Sequence, residues 1–144
     1  MSIRPPYLVS ACLAGIACRF DGTAAPHPAA LRWLSQGRIL PVCPETLGGL
    51  PCPRPACELR DGRFFDAHGT DHTQAVLDGC AKALARASEA GCRLALLKAH
   101  SPSCGVGDIY DGSFSRRLIS GDGLFAGLLR ASGYVVLSDE DVWT

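Results

Sequence analysis

Four short apolar runs separated by helical stretches constrain this chain more than any other feature of it. Tyr7-Leu8-Val9-Ser10-Ala11, Ile39-Leu40-Pro41-Val42, Leu94-Ala95-Leu96-Leu97 and Tyr134-Val135-Val136-Leu137 are too short for helices and largely apolar at successive positions, as strands covered on both faces must be. Ala29 to Gln36, with Pro28 before it and Gly37 after it, reads as a short helix with proline in its first turn and glycine past its end. Thr73 to Ala90 carries Val76, Leu77, Cys80, Leu84 and Ala87 at three- and four-residue steps and stops at Gly91, the pattern of a helix with one buried face. Gly123 to Ser132, closed by Gly133, predicts a last helix. This alternation predicts an α/β fold: a Rossmann-like three-layer sandwich around a mostly parallel four-stranded sheet with right-handed crossovers. A chain of 144 residues suits one domain spanning 1-144.

Two segments interrupt the alternation. Pro44, Pro51, Pro53 and Pro55, with Gly48 and Gly49 among them, predict an irregular stretch that is neither helix nor inner strand. Glu58 to Ala67, centred on Asp61-Gly62, predicts an inserted β-hairpin, because that pair supplies the positive φ values of a tight turn; we place it outward from the body. Lys98 to Gly112, rich in Ser, Gly and Asp, reads as a loop.

In parallel sheets of this kind, ligands sit in a crevice beyond the carboxyl ends of the strands. That rule sorts the eight cysteines. Cys12 follows the first strand, Cys43 the second, and Cys104 lies in the loop after the third. Three thiols at one crevice point to a metal. Soft thiolates without a histidine partner favour zinc or an iron–sulfur cluster over hard cations. Cys80 falls on the apolar face of the long helix and Cys92 just before a strand, where free cysteine acts as a small hydrophobe. Cys52 and Cys57 have no second pair at matching spacing and read as bystanders, and Cys18, on the Cys12 loop, is open either way.

Neighbouring residues add chemistry to these thiols. Cys43-Pro44-Glu45 puts a carboxylate two residues from one presumed ligand, and Ser101-Pro102-Ser103-Cys104 puts two hydroxyls beside another. A carboxylate there could transfer protons, and the hydroxyls could orient a polar substrate or water. Lys98, Arg116 and Arg117 flank the expected mouth, where a nucleotide phosphate could be held.

Fourteen basic residues balance fourteen acidic ones, which argues against a dedicated polyanion binder and makes transfer RNA an unfavoured partner. No apolar run reaches the roughly 18 residues of a membrane span. Arg4, the apolar stretch to Ala17 and Cys18 resemble a secretory segment with a lipid-acceptor cysteine, but Pro5, Pro6, a single positive charge and Ser10 oppose that reading. Reduced thiols in a chain with its own core suit a cytoplasmic protein.

Read together, Val9-Ser10-Ala11-Cys12-Leu13-Ala14-Gly15, Cys18-Arg19-Phe20-Asp21-Gly22, Pro41-Val42-Cys43-Pro44-Glu45, Leu47-Gly48-Gly49-Leu50-Pro51, Pro53-Arg54-Pro55, Ser101-Pro102-Ser103-Cys104-Gly105 and Ile109-Tyr110-Asp111-Gly112 resemble a small bacterial family that includes the thiouracil desulfurases. The resemblance implies an enzyme with a [4Fe-4S] cluster held by Cys12, Cys43 and Cys104. It implies non-redox removal of sulfur from thiolated uracil compounds, with Glu45 and Ser101 as the catalytic pair; the position of Ser103, Lys98 and Arg116 about the expected mouth makes them the candidate substrate contacts. The alternatives are a desulfurase acting on 4-thiouridine in transfer RNA and a non-catalytic thiolate metal-binding module. His100, before the Ser-Pro-Ser-Cys motif, and the extra Cys52 and Cys57 depart from the family pattern and bear on substrate choice.

Overall fold

A computed structural model describes residues 5–142; Arg4, part of the secretory-segment reading, lies outside them. Four strands, β1 (Tyr7–Ser10), β2 (Ile39–Val42), β5 (Leu94–Leu97) and β8 (Val135–Ser138), form one sheet in the order β2-β1-β5-β8, and every pairing is parallel. Helix α1 (Pro28–Ser35) covers one face; α3 (Thr73–Ala90) and α4 (Leu124–Ala131) cover the other. The side chains sort by the two-residue strand period. Leu8, Ala95 and Leu97 join the core under α3 and α4 with Val76, Phe125 and Leu129. Val9 and Leu96 turn to the opposite core with Leu13, Ala29 and Ala30. The sheet is thus buried on both sides, and the three-layer expectation is met.

Four features of the fold differ from what the sequence predicts. Pro44–Leu47 forms a one-turn helix, α2. Its proline sits at the first helical position, where the missing N–H costs nothing because that group has no helical partner. Next, the hairpin of β3 (Cys57–Arg60) and β4 (Arg63–Asp66) turns at Asp61 and Gly62, with φ of 52° and 75°, but it does not project outward. Leu59 and Phe64 are buried in the α3 core, and the Phe64 N–H donates to Thr73 Oγ1 at 2.8 Å. Third, the loop after β5 contains β6 (Asp108–Tyr110), paired antiparallel with β7 (Leu118–Ser120). Last, Leu77 is exposed; Val76, Cys80, Ala83 and Ala87 form the buried stripe of α3.

Close backbone contacts hold α2 in place. A Cβ on Gly48 would lie 2.0 Å from the Ala75 carbonyl oxygen, and one on Gly79 would lie 1.8 Å from that of Pro44. Only glycines permit this approach, which sets the residues after β2 directly on α3.

Candidate active site

The chain leaves β1 into a single 3-10 turn, Ala11–Ala14, which carries Cys12. It leaves β2 into Cys43, the residue capping α2. It leaves β5 into the Ser101–Gly105 turn that carries Cys104. Since β1 lies between β2 and β5 and its chain connections diverge there, these ends meet at the topological switch point of the sheet, the place where open α/β sheets bind ligands. The Lys98 N–H donates to Ser10 Oγ at 3.0 Å, tying the β5 and β1 exits together.

Helix α4 fixes the Ser-Pro-Ser-Cys turn. Its first N–H groups donate to the turn's carbonyls: Leu124 to Pro102 at 3.0 Å and Phe125 to Ser103 at 2.8 Å. The turn therefore satisfies helix donors that otherwise lack partners. A Cβ on Gly123 would lie 2.5 Å from the Ser103 carbonyl, so glycine is needed at the crossing.

A cavity of about 430 Å³ opens at this edge. Cys12, Cys18, Cys43 and Cys104 line it, as do Glu45, Ser101, Ser103, Lys98 and Arg116. Arg117 does not line it. Cys80 and Cys92 belong to the apolar core, and Cys52 is exposed, donating to the Ala17 and Arg19 carbonyls. Cys57, read from sequence as a bystander, lines the cavity. All eight cysteines are free thiols.

The hydroxyl and carboxyl groups form one directed chain. Ser103, only 2% exposed, donates through Oγ to Glu45 Oε2 at 2.8 Å. Its single proton is thereby committed, so across the 3.0 Å contact between the two serine hydroxyls the donor is Ser101. Ser101 Oγ in turn accepts from the backbone N–H groups of Ser103 and Cys104, at 3.2 and 3.1 Å. Glu45 Oε1 is held by Arg54, with Nε at 3.0 Å and Nη2 at 2.9 Å.

The thiols form a contiguous, buried set. Cys18 lies against Cys12 and Cys43, and contact with Cys12 first, then burial, pushes its thiol up to about 11. Contact with Cys18 and burial raise Cys43 well above the ordinary thiol range, and burial does the same to Cys104. Such thiols ionise only against a compensating cation, as metal binding provides. Cys12, Cys43 and Cys104, three soft thiols on the wall of one cavity, form a donor set that fits an iron–sulfur cluster or zinc.

Two cavity residues escaped the sequence reading. Arg54 was visible only as part of a proline-flanked motif. Glu58, on β3, is buried and accepts at Oε1 from the N–H groups of Gly112 and Phe114, at 3.0 and 3.1 Å. No sequence signal marks either, since each finds its partners on a distant segment. Of the expected substrate contacts, Lys98 Nζ lies 3.5 Å from Asp139 Oδ2, and Arg116 stands at the rim in a left-handed conformation, φ 60°.

Comparison with known proteins agrees with this geometry. The 2-thiouracil desulfurase family model matches residues 7–141. An uncharacterized protein of Bacillus subtilis (strain 168), YbbK, is 38% identical over 94% of this chain and 96% of its own. A solved structure of a [4Fe-4S]-dependent thiouracil desulfidase, TudS, superimposes with a TM-score of 0.91 at 38% identity, covering 96% of this chain and 93% of that one. By sequence and fold alike, this chain belongs to the 2-thiouracil desulfurase family.

Proposed function

We propose that this enzyme is a [4Fe-4S]-dependent desulfidase that replaces the sulfur of 2-thiouracil, 4-thiouracil or 4-thiouridine monophosphate by oxygen, giving uracil or UMP and hydrosulfide. The observation that carries the reading is the meeting, in one cavity, of three strand-end thiols with the linked Glu45, Ser103 and Ser101 side chains. Cys12, Cys43 and Cys104 would hold the cluster. With three protein ligands such a cluster would leave one iron open and would supply Lewis acidity toward the thiocarbonyl group.

The chain's own residues supply orientation and proton transfer. Water adds to the ring carbon and hydrosulfide leaves, so oxidation states are unchanged and only protons need handling. Ser101 positions the attacking water, which donates to the Oγ lone pair now taken by the longer of its two N–H contacts, that from Ser103 at 3.2 Å. The water's proton passes along Ser101 and Ser103 to Glu45 Oε2, which returns it to the ring nitrogen or the leaving sulfur. Ser103, almost fully buried, serves as the link in that chain. Lys98 and Arg116, both on the cavity wall, would hold a nucleotide phosphate, and Lys98 Nζ lies 3.5 Å from Asp139 Oδ2. No helix of the described residues is long and apolar enough to cross a membrane, and the reduced thiols fit a cytoplasmic setting.

Anaerobic reconstitution followed by iron and sulfide analysis tests the cofactor, with about four irons per chain and a brown chromophore expected. Incubation with each thiolated compound then ranks the substrates. A colourless protein that binds one zinc ion and releases no hydrosulfide would replace this reading by a metal-binding module.

A further inference from the structure

Arg54 is among the most buried charged groups of the molecule, its side chain 4% exposed. It lines the cavity, and its donors are taken up by protein acceptors. Nε and Nη2 converge on Glu45 Oε1, Nη2 also donates to the Cys18 carbonyl at 3.1 Å, and Nη1 donates to that of Pro51 at 3.2 Å. Its backbone N–H donates to the Phe20 carbonyl at 2.7 Å. A guanidinium offers five donors in a rigid plane, and here that plane spans three segments: the α2 carboxylate, the Cys18 loop and the proline-rich stretch. The prolines on either side, Pro53 and Pro55, fix the local backbone. The fork is therefore set before substrate arrives.

We propose that Arg54 is a positioning residue for the desulfuration, acting through Glu45. By occupying Oε1 it fixes the rotation of the carboxylate and leaves Oε2 directed at Ser103, so that the Glu45–Ser103–Ser101 chain exists in one arrangement. This inference rests on Glu45 being the proton-transfer group. Arg54 lines the cavity, and the role assigned to it runs through Glu45 alone. A merely structural arginine would lower the amount of folded, cluster-loaded enzyme; a positioning arginine lowers turnover per loaded enzyme and does so only while Glu45 is present.

The test uses the reconstituted holoenzyme and a double-mutant cycle of Arg54→Ala with Glu45→Gln, each preparation corrected for iron content. In the wild-type background, Arg54→Ala should lower kcat by about a hundredfold with KM within about threefold. In the Glu45→Gln background the same change should cost less than about twofold, because coupled groups fail together. Added guanidinium should restore kcat of Arg54→Ala by about tenfold or more and leave the double variant unchanged, since it refills the vacated donors. Arg54→Lys, which keeps the charge and not the fork, should fall between, about tenfold down. Equal losses in both backgrounds, or wild-type kcat in Arg54→Ala, would overturn the proposal. If the alanine variant fails to fold or load, the lysine variant decides: wild-type kcat there overturns it, and a tenfold loss with full iron upholds it. A Glu45→Gln enzyme with wild-type kcat would instead remove the role of Glu45, whatever Arg54 does.

Discussion

Ser103 Oγ donates to Glu45 Oε2 at 2.8 Å across 58 residues of sequence, joining the turn after β5 to the helix after β2. Ser103→Ala removes the link between Glu45 and Ser101 and leaves a buried carboxylate oxygen without a partner. We predict a loss of about a hundredfold in kcat and about 1–3 kcal/mol in stability, with iron content unchanged. Steady-state kinetics and denaturant unfolding separate the two effects. Ser103→Thr, which keeps the hydroxyl, should recover most of the turnover.

The approach of α2 to α3 gives a second expectation. Because a Cβ on Gly79 would fall 1.8 Å from the Pro44 carbonyl oxygen, Gly79→Ala must push α2 away and carry Cys43 and Glu45 with it. Overpacking of this kind costs about 3 kcal/mol, so thermal unfolding should shift down by several degrees. Alanine at the exposed Ser88 of the same helix serves as the control and should leave Tm nearly unchanged.

How far the sequence discloses such a site depends on the range of the interaction. The four strands and the long helix follow from local periodicity, and once the strands are placed their carboxyl ends bring Cys12, Cys43 and Cys104 to one edge. Helix α2 is hidden because proline is read as a breaker, while its first-turn position is permissive. The β6–β7 ladder is hidden because three-residue strands in a Ser/Gly/Asp-rich stretch carry no period. The roles of Arg54, seen in sequence only within a proline-flanked motif, and of Glu58 are hidden for a different reason: they lie in contacts with Glu45, Gly112 and Phe114, which only the folded chain brings near.

Glu58 supports the segment that carries Arg116. Its Oε1 accepts two backbone N–H bonds, from Gly112 and Phe114, and bonds to a charged group contribute about 1.5–3 kcal/mol each. Glu58→Ala should therefore raise proteolytic cleavage near residues 112–117 and raise KM for a nucleotide substrate more than for the free base. Unchanged cleavage would show that the segment is held by other means.

Alkaline stability provides a readout away from the cavity. Burial, reinforced by the negative charge of Glu45, pushes the Cys80 thiol from an ordinary 9.0 up to about 12. The folded state thus holds this proton more tightly than the unfolded chain. The associated stability is present in full below pH 9 and is lost as pH rises toward 12. In Cys80→Ala the decline of unfolding free energy over that interval should be shallower than in the wild type. Parallel declines would mean that Cys80 contributes nothing to the alkaline limit.

In the proposed reaction Glu45 and the three strand-end cysteines perform desulfuration together. The most direct measurement is hydrosulfide released per uracil formed, under anaerobic conditions, by reconstituted wild-type and Glu45→Gln enzymes given 4-thiouracil. One hydrosulfide per uracil is expected in the wild type with no added reductant, and an iron-loaded Glu45→Gln enzyme should keep only a residual rate, about a thousandfold below the wild type. Turnover that requires an electron donor, or full turnover without the Glu45 carboxylate, would contradict that reaction.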